Sequence, residues 1–268
     1  DRVIAVEEEL THEELHRCIS ICNKMGVPLN HTAGLLAVVA KRIEMTEIGG
    51  ALLVEVQGLE FTKFQHLVKR CFDFLAASIL LLLLSTLFIV LALLIPLSSF
   101  GPVFFVAPRV GRGGRYFPCF KFRSMEFDAE SRRKHLGKWN ERGGHLFKIS
   151  SDPRVTHLGR WIRRFSIDEL PQLINVLRGE MSLVGPRPLP ARDLDGDGLS
   201  RGYRFWAKER SKVRPGITGL WQVSGRSELQ FDRMVRLDVA YVRTWSVWLD
   251  LQILFRTIPA VWAGRGAC

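Results

Sequence analysis

The chain has 268 residues, 47% of them hydrophobic and 24% charged, with a formal net charge of +11. This is a globular composition with room for one large domain or two small ones, and its cation excess implies an anionic partner: nucleic acid, anionic lipid headgroups or phosphorylated small molecules. Cys18, Cys22, Cys71, Cys119 and Cys268 show no CxxC spacing, which excludes a disulfide framework and a paired-thiol metal site and fits reduced thiols in a cytosolic compartment.

The first segment, residues 1–62, reads as the tail of an α/β domain. The chain opens in what reads as the middle of that domain, so a fragment of a longer protein without a signal peptide is expected. Thr11 to Glu14 has capping-box spacing, and Leu10, Leu15, Ile19 and Cys22 supply an apolar face. Lys24-Met25-Gly26 predicts a helix stop. Val27–Leu29 and Ala51–Val56 read as short strands. No catalytic cluster is visible here, which points to a structural or regulatory module.

Residues 63–100 read as a membrane-embedded helix. From Phe74 to Pro108 there is no charged residue. As a straight helix, Phe74–Ile95 would be about 33 Å long, enough to cross a hydrocarbon core. A spanning helix would separate the flanking segments, whereas a re-entrant one keeps both on one side. Lys63, Lys69 and Arg70 precede the block, and Arg109, Arg112 and Arg115 follow it. Positive charge on both flanks does not favour opposite sides. Ser85-Thr86 lies mid-block, where such side chains bond to the backbone and bend a helix.

Residues 101–268 read as a soluble-looking, strongly basic domain. Val103–Val106 and Tyr116–Phe122 are predicted strands, joined by a Gly111–Arg115 turn that matches neither GxGxxG nor Walker spacing. Residues 126–165 are charged and read as helix with loops. In the tail, Trp245, Trp248, Leu249, Gln252, Phe255 and Trp262 have broadly helical spacing, equally suited to a membrane interface and to a core helix.

The densest chemistry lies at 163–188. Asp168 and Glu169 precede an apolar stretch of Leu170, Leu173, Ile174 and Leu177 that stops at Arg178-Gly179. A Ser166 N-cap would make Glu169 part of a capping box, but would put Pro171 at the fifth helical position, where it removes a ladder hydrogen bond. Pro171 therefore favours a start near Asp168, with the carboxylates at the positive end of the dipole. Plain helix capping explains the pair as well. Arg163, Arg164 and the proline-flanked Arg187 add forked donors for phosphate oxygens, which favours a phosphate site with a metal ion. Asp193 to Gly198 imitates the start of a calcium loop, but position 12 is Arg204 where glutamate is required.

Taken in order, these residues resemble the bacterial polyprenyl-phosphate sugar-1-phosphate transferases, the monotopic phosphoglycosyl transferases. The resemblance rests on Lys69 to Phe74, Lys121 to Met125, Ser166 to Leu170, Val184 to Pro188, Val213 to Arg226 and Asp238 to Val242. It implies a mainly helical α/β catalytic domain with small β elements and a re-entrant membrane helix, preceded by a fragment of a Rossmann-like domain. It implies transfer of a hexose-1-phosphate, galactose or glucose, from a UDP-sugar to undecaprenyl phosphate with release of UMP, the first membrane step of exopolysaccharide, O-antigen or capsule assembly.

By the same resemblance Asp168 is the nucleophile and Glu169 its partner, with both placed at Mg²⁺. Arg163, Arg187, Lys121 and Arg123 are implied for phosphate, and Arg214, Gly219, Gln222 and Arg226 for the nucleotide. Membrane lipid and a second copy of the chain are implied partners, with no nucleic acid, on the cytoplasmic face of the bacterial inner membrane. Members of the family usually carry Ser-Pro where this chain has Ser85-Thr86. Two rival readings remain: a membrane-anchored basic module for nucleic acid or anionic lipid, and a membrane phosphatase or pyrophosphatase using the same carboxylates.

Overall fold

A computed structural model describes residues 62–133, 152–190, 209–225 and 231–262, with helical positions 21 and 25 and four short strands before residue 57. The chain divides into two units, 1–60 and 61–268.

In the first unit, β1 (Val3–Val6) pairs in parallel with β2 (Leu29–Thr32), and β3 (Ile43–Ile48) pairs antiparallel with β4 (Ala51–Val56). Apart from helical positions 21 and 25, the connection between β1 and β2 lies outside the described residues. The predicted strand at Ala51–Val56 is β4. The Thr11–Glu14 cap lies outside the described residues.

The second unit is mostly helical with small sheets. Its elements are α1 (Lys63–Leu83), α2 (Ser85–Ser98), β5 (Phe104–Val110), β6 (Tyr116–Phe122), α3 (Ala129–Arg133), α4 (His157–Arg164), a 3₁₀ turn (Ile167–Glu169), α5 (Gln172–Arg178), β7 (Ser182–Val184), β8 (Leu189–Pro190), β9 (Gly216–Thr218), α6 (Leu220–Val223), α7 (Phe231–Thr244) and α8 (Val247–Trp262). One sheet has the order β6-β5-β8, and β7 pairs in parallel with β9. The β5–β6 hairpin and its Gly111–Arg115 connection form as expected, with β6 at the predicted residues and β5 running four residues past the predicted Val103–Val106. The tail forms two helices rather than one, broken at Trp245-Ser246.

Among the described residues no single helix is long and apolar enough to cross a membrane; α1 and α2 meet that test only together, bent by 61°. The bend is centred on Leu84, which closes α1 and opens α2 with φ −92° and ψ 3°. No side chain caps α2, so Ser85 and Thr86 do not make the bend by the side-chain bonding expected of them. Packing accounts for it instead. On one side of the bend, Ala77 of α1 joins a core cluster with Leu173 and Val176 of α5, Leu183 of β7, Tyr241 of α7 and Ile253 of α8. On the other, Leu91 and Ile95 of α2 join Phe122 of β6 and Ile162 of α4. Each buried Leu, Ile, Val or Phe in these clusters contributes roughly 1.5–3 kcal/mol, so the two docking faces together outweigh the broken ladder.

Both ends of the bent pair are fixed to the same body. Near the start of α1, Lys69 Nζ donates to Asp250 Oδ2 at 2.6 Å, and Arg70 donates to the carbonyls of Val176 and Leu177 at the end of α5. Beyond α2, Arg123 donates to the Ser99 and Phe100 carbonyls, while Ser99 Oγ donates to Glu126 at 2.8 Å. The outer faces are bare: Leu75, Ile79, Leu82 and Leu83 on α1, Ile89, Leu93 and Leu97 on α2, and Trp248, Phe255, Ile258 and Trp262 on α8 are all exposed.

Candidate active site

Asp168 and Glu169 lie in the 3₁₀ turn, one step earlier than a start of α5 at Asp168 would place them. The helix begins at Gln172 with Pro171 at its N-cap, and no side chain caps it. Pro171 has no N–H to enter a ladder, so the chain tightens into a 3₁₀ turn before it. Ser166 forms no capping box. It adopts φ 54°, the one non-glycine residue in the left-handed region among those described. That strained residue directly precedes the 3₁₀ turn that carries the acidic pair, and it turns the chain out of α4, which ends in Arg163 and Arg164.

The two carboxylates have different environments. Glu169 Oε1 accepts from Lys121 Nζ at 2.7 Å and from Arg187 Nη2 at 2.7 Å, while Arg187 Nη1 reaches Oε2 at 3.3 Å. Burial acts upward on the Glu169 carboxyl, but Arg187 and Lys121 outweigh it and hold the group well below the usual carboxylate range. Glu169 is therefore a fixed anion that gathers two cations. Asp168 is buried, at 8% exposure, and its carboxylate accepts no hydrogen bond among the described residues. Burial pushes its carboxyl above the ordinary aspartate value. Lys121, Arg163 and Arg187 act in the opposite direction, and Glu169 adds to the rise.

Each cation comes from a separate element. Lys121 projects from β6, whose Phe120 N–H donates to Asn175 Oδ1 at 3.1 Å, while Asn175 Nδ2 donates to the Pro118 carbonyl and to Glu180. Asn175 is fully buried in α5 and so locks the strand carrying Lys121 to the helix that follows the acidic pair. In the sequence its one mark is that it is a polar residue inside the apolar stretch 173–177. Arg163 comes from the end of α4, and Arg187 from the Pro186–Pro188 segment that follows β7.

Four predicted residues do not join this cluster. Arg123 is spent on the carbonyls that close α2. Arg214 Nε donates to the Gly179 carbonyl at 2.8 Å, which puts it at the far end of α5 from the carboxylates. Gly219 lacks a Cβ because one would overlap the Gly185 carbonyl, a backbone approach that lets the β9 loop close on the β7 loop. Gln222 Nε2, on α6, donates to the Ile217 carbonyl of β9 at 3.1 Å. Arg226 and the acidic run at 193–198 lie outside the described residues.

Magnesium binds through one or two carboxylates together with substrate phosphates, keeping several waters. Asp168 fits that pattern as an uncommitted carboxylate. Glu169 fits less well, since its oxygens already meet Lys121 and Arg187. Among the described residues no group of three His, Cys, Asp or Glu side chains converges on one point, so any metal here depends on ligand oxygens from the substrate.

The chain is similar in sequence to known proteins. The sequence model of the family described as Bacterial sugar transferase matches residues 64–264. The chain is 41% identical over 261 residues to the Galactosyl transferase CpsE of Streptococcus agalactiae serotype III, covering 95% of this chain and 56% of that protein. It is 46% identical over 220 residues to the Undecaprenyl-phosphate glucose phosphotransferase of Komagataeibacter xylinus, covering 80% of this chain and 40% of that one. With the Exopolysaccharide production protein ExoY of Rhizobium meliloti it shares 42% identity over 205 residues, covering 75% of this chain and 88% of that relative. The chain thus spans about half the length of the two longer relatives and most of the shorter one.

Proposed function

The chain belongs to the bacterial sugar transferase family, and from that premise we propose that it moves a hexose-1-phosphate from a UDP-sugar to undecaprenyl phosphate, with UMP as the second product. The observation that carries this reading is the asymmetry of the acidic pair: a buried, uncommitted Asp168 beside a Glu169 that is already neutralised. Relatives bear the names of galactosyl transferase and of undecaprenyl-phosphate glucose phosphotransferase, which fits a hexose donor.

The chemistry divides into two displacements at phosphorus. An Asp168 carboxylate oxygen attacks the sugar-bearing phosphorus of the donor; a P–O bond forms, and the phosphoanhydride bond to UMP breaks, with its electron pair leaving on UMP. An oxygen of the lipid phosphate then attacks the same phosphorus and releases the Asp168 carboxylate. One anhydride is exchanged for another, so no further energy source is needed. Arg163, Arg187 and Lys121 hold phosphate oxygens and offset charge as it builds in the transition state. Magnesium, when bound beside Asp168, would neutralise diphosphate charge and ease departure of UMP.

The acceptor is a lipid, and the bent α1–α2 pair supports the membrane placement this requires. Hydrogen bonds at the start of α1 and beyond the end of α2 tie both to one body. A helix pair so tied enters and leaves on the same side, which is the re-entrant arrangement, with the catalytic unit on the cytoplasmic face.

UMP release from UDP-glucose and UDP-galactose, with and without undecaprenyl phosphate, tests the reading. Wild-type protein is expected to form a lipid-linked sugar diphosphate and Asp168→Asn to lose ~10³-fold or more in kcat. Release of free sugar phosphate without an acceptor would instead favour a phosphatase. Full activity in Asp168→Asn would overturn the proposal.

A further inference from the structure

Arg187 reaches Glu169 from a segment that the sheets hold only at its two ends. Upstream, Gly185 N–H donates to the Thr218 carbonyl and the Pro186 carbonyl accepts from Gly216 N–H. Downstream, β8 begins at Leu189 and pairs with Val110 of β5. Between these points Pro188 has no N–H, so the ladder is interrupted beside Arg187. The carbonyl of Arg187 is met there by a side chain: Arg210 Nη2 donates to it at 2.9 Å. The same nitrogen donates to Asp238 Oδ2 of α7 at 2.5 Å. Arg210 and Asp238 are buried, at 8% and 2% exposure.

This pair is poorly built as a source of stability. Arg210 Nε and Asp238 Oδ1 are both buried without a hydrogen-bond partner among the described residues. A buried ion pair with unsatisfied atoms on both members contributes little over apolar residues of the same volume, because desolvation offsets the attraction. What the pair does supply is a fixed point behind Arg187.

Resting on the function proposed above, we infer that Arg210, anchored by Asp238, is a positioning residue for Arg187: it pins the Arg187 carbonyl so that the guanidinium reaches Glu169 and offers its remaining donors to donor phosphate. Neither residue touches the reacting atoms. Their effect passes through the backbone of the Pro186–Pro188 segment, and they couple α7 to the site.

The test is a double-mutant cycle on the full chain in detergent, read by UMP release and by calorimetric affinity for inorganic pyrophosphate. To avoid stranding a buried charge, the pair is removed as Arg210→Met/Asp238→Leu, with thermal melting to show that the variant folds. A small displacement of a binding group is enough to cost about 100-fold, so kcat/KM is expected to fall about 30- to 100-fold and pyrophosphate affinity about 10-fold. In an Arg187→Ala background the same change is expected to cost less than about 2-fold, since the group being positioned is gone. Arg210→Lys is expected to recover most of the loss, because one nitrogen makes both contacts.

Losses that add in the Arg187→Ala background, or a folded double variant with wild-type values, would overturn the inference. If the wild type binds pyrophosphate but releases no UMP, the proposed function fails while the pyrophosphate cycle still decides the positioning role. Absence of pyrophosphate binding by a wild type that does release UMP would overturn the inferred phosphate contact of Arg187 and leave the proposed function standing.

Discussion

Glu169 keeps its negative charge because Lys121 and Arg187 share it, and that sharing has consequences for both stability and pH. A carboxyl held below its unfolded value of about 4.3 contributes stability that is complete above about pH 5 and lost as pH falls. Glu169→Gln should therefore flatten the acid side of the stability profile, measured by urea denaturation between about pH 3 and pH 6. It should also reduce kcat/KM by about 100-fold, because Lys121 and Arg187 lose the anion that brings them together. An unchanged acid limb would mean that the three groups do not form one cluster. The acidic pair was readable from sequence because charge, proline and arginine coincide within 26 residues, 163–188. Its internal division was not readable. Which carboxylate is neutralised depends on Lys121, 48 residues away in sequence, and local patterning does not carry that.

At the scale of elements, the bend at Leu84 and the tie at Arg123 belong together. A bent pair stays bent if both arms are docked, and Arg123 closes the second arm by meeting the carbonyls left open at its end. Arg123→Ala should cost about 1–3 kcal/mol by leaving those carbonyls partly buried and unpaired. Proteolysis in detergent should then cut preferentially near Ser99, while cleavage elsewhere stays at the wild-type rate. The sequence shows an apolar block with Ser-Thr at its middle, and from that a side-chain bend is a fair expectation. The fold makes the bend by docking α1 and α2 on different cores, information held in Leu173, Phe122 and Ile162 rather than in the block itself. The same limit applies to Arg123 and Arg214. As sequence they are cations beside the motifs; in the fold each donates to a carbonyl at a helix end. The strands β4, β5 and β6 were legible because alternation and glycine turns act locally.

At the scale of the whole molecule, the second unit presents one broad apolar contribution from α1 and α2 and another from α8. Apolar exposure on this scale marks a membrane or partner surface, and the net charge of +11 favours an anionic one. Trp248→Lys/Phe255→Lys should weaken liposome sedimentation about 10-fold or more, given the apolar area lost by each, with kcat against soluble UDP-sugar nearly unchanged in detergent. Equal loss of detergent activity would instead place α8 in the catalytic core.

If Asp168 takes the phosphosugar onto itself, the covalent species can be trapped. UDP-sugar labelled at the sugar-bearing phosphate is mixed with the protein in the absence of lipid acceptor, quenched and digested. Label is expected on the peptide containing Asp168, removed on adding undecaprenyl phosphate and absent in Asp168→Asn. Lipid product forming at the wild-type rate in Asp168→Asn, with no labelled peptide in either protein, would contradict a covalent role for Asp168.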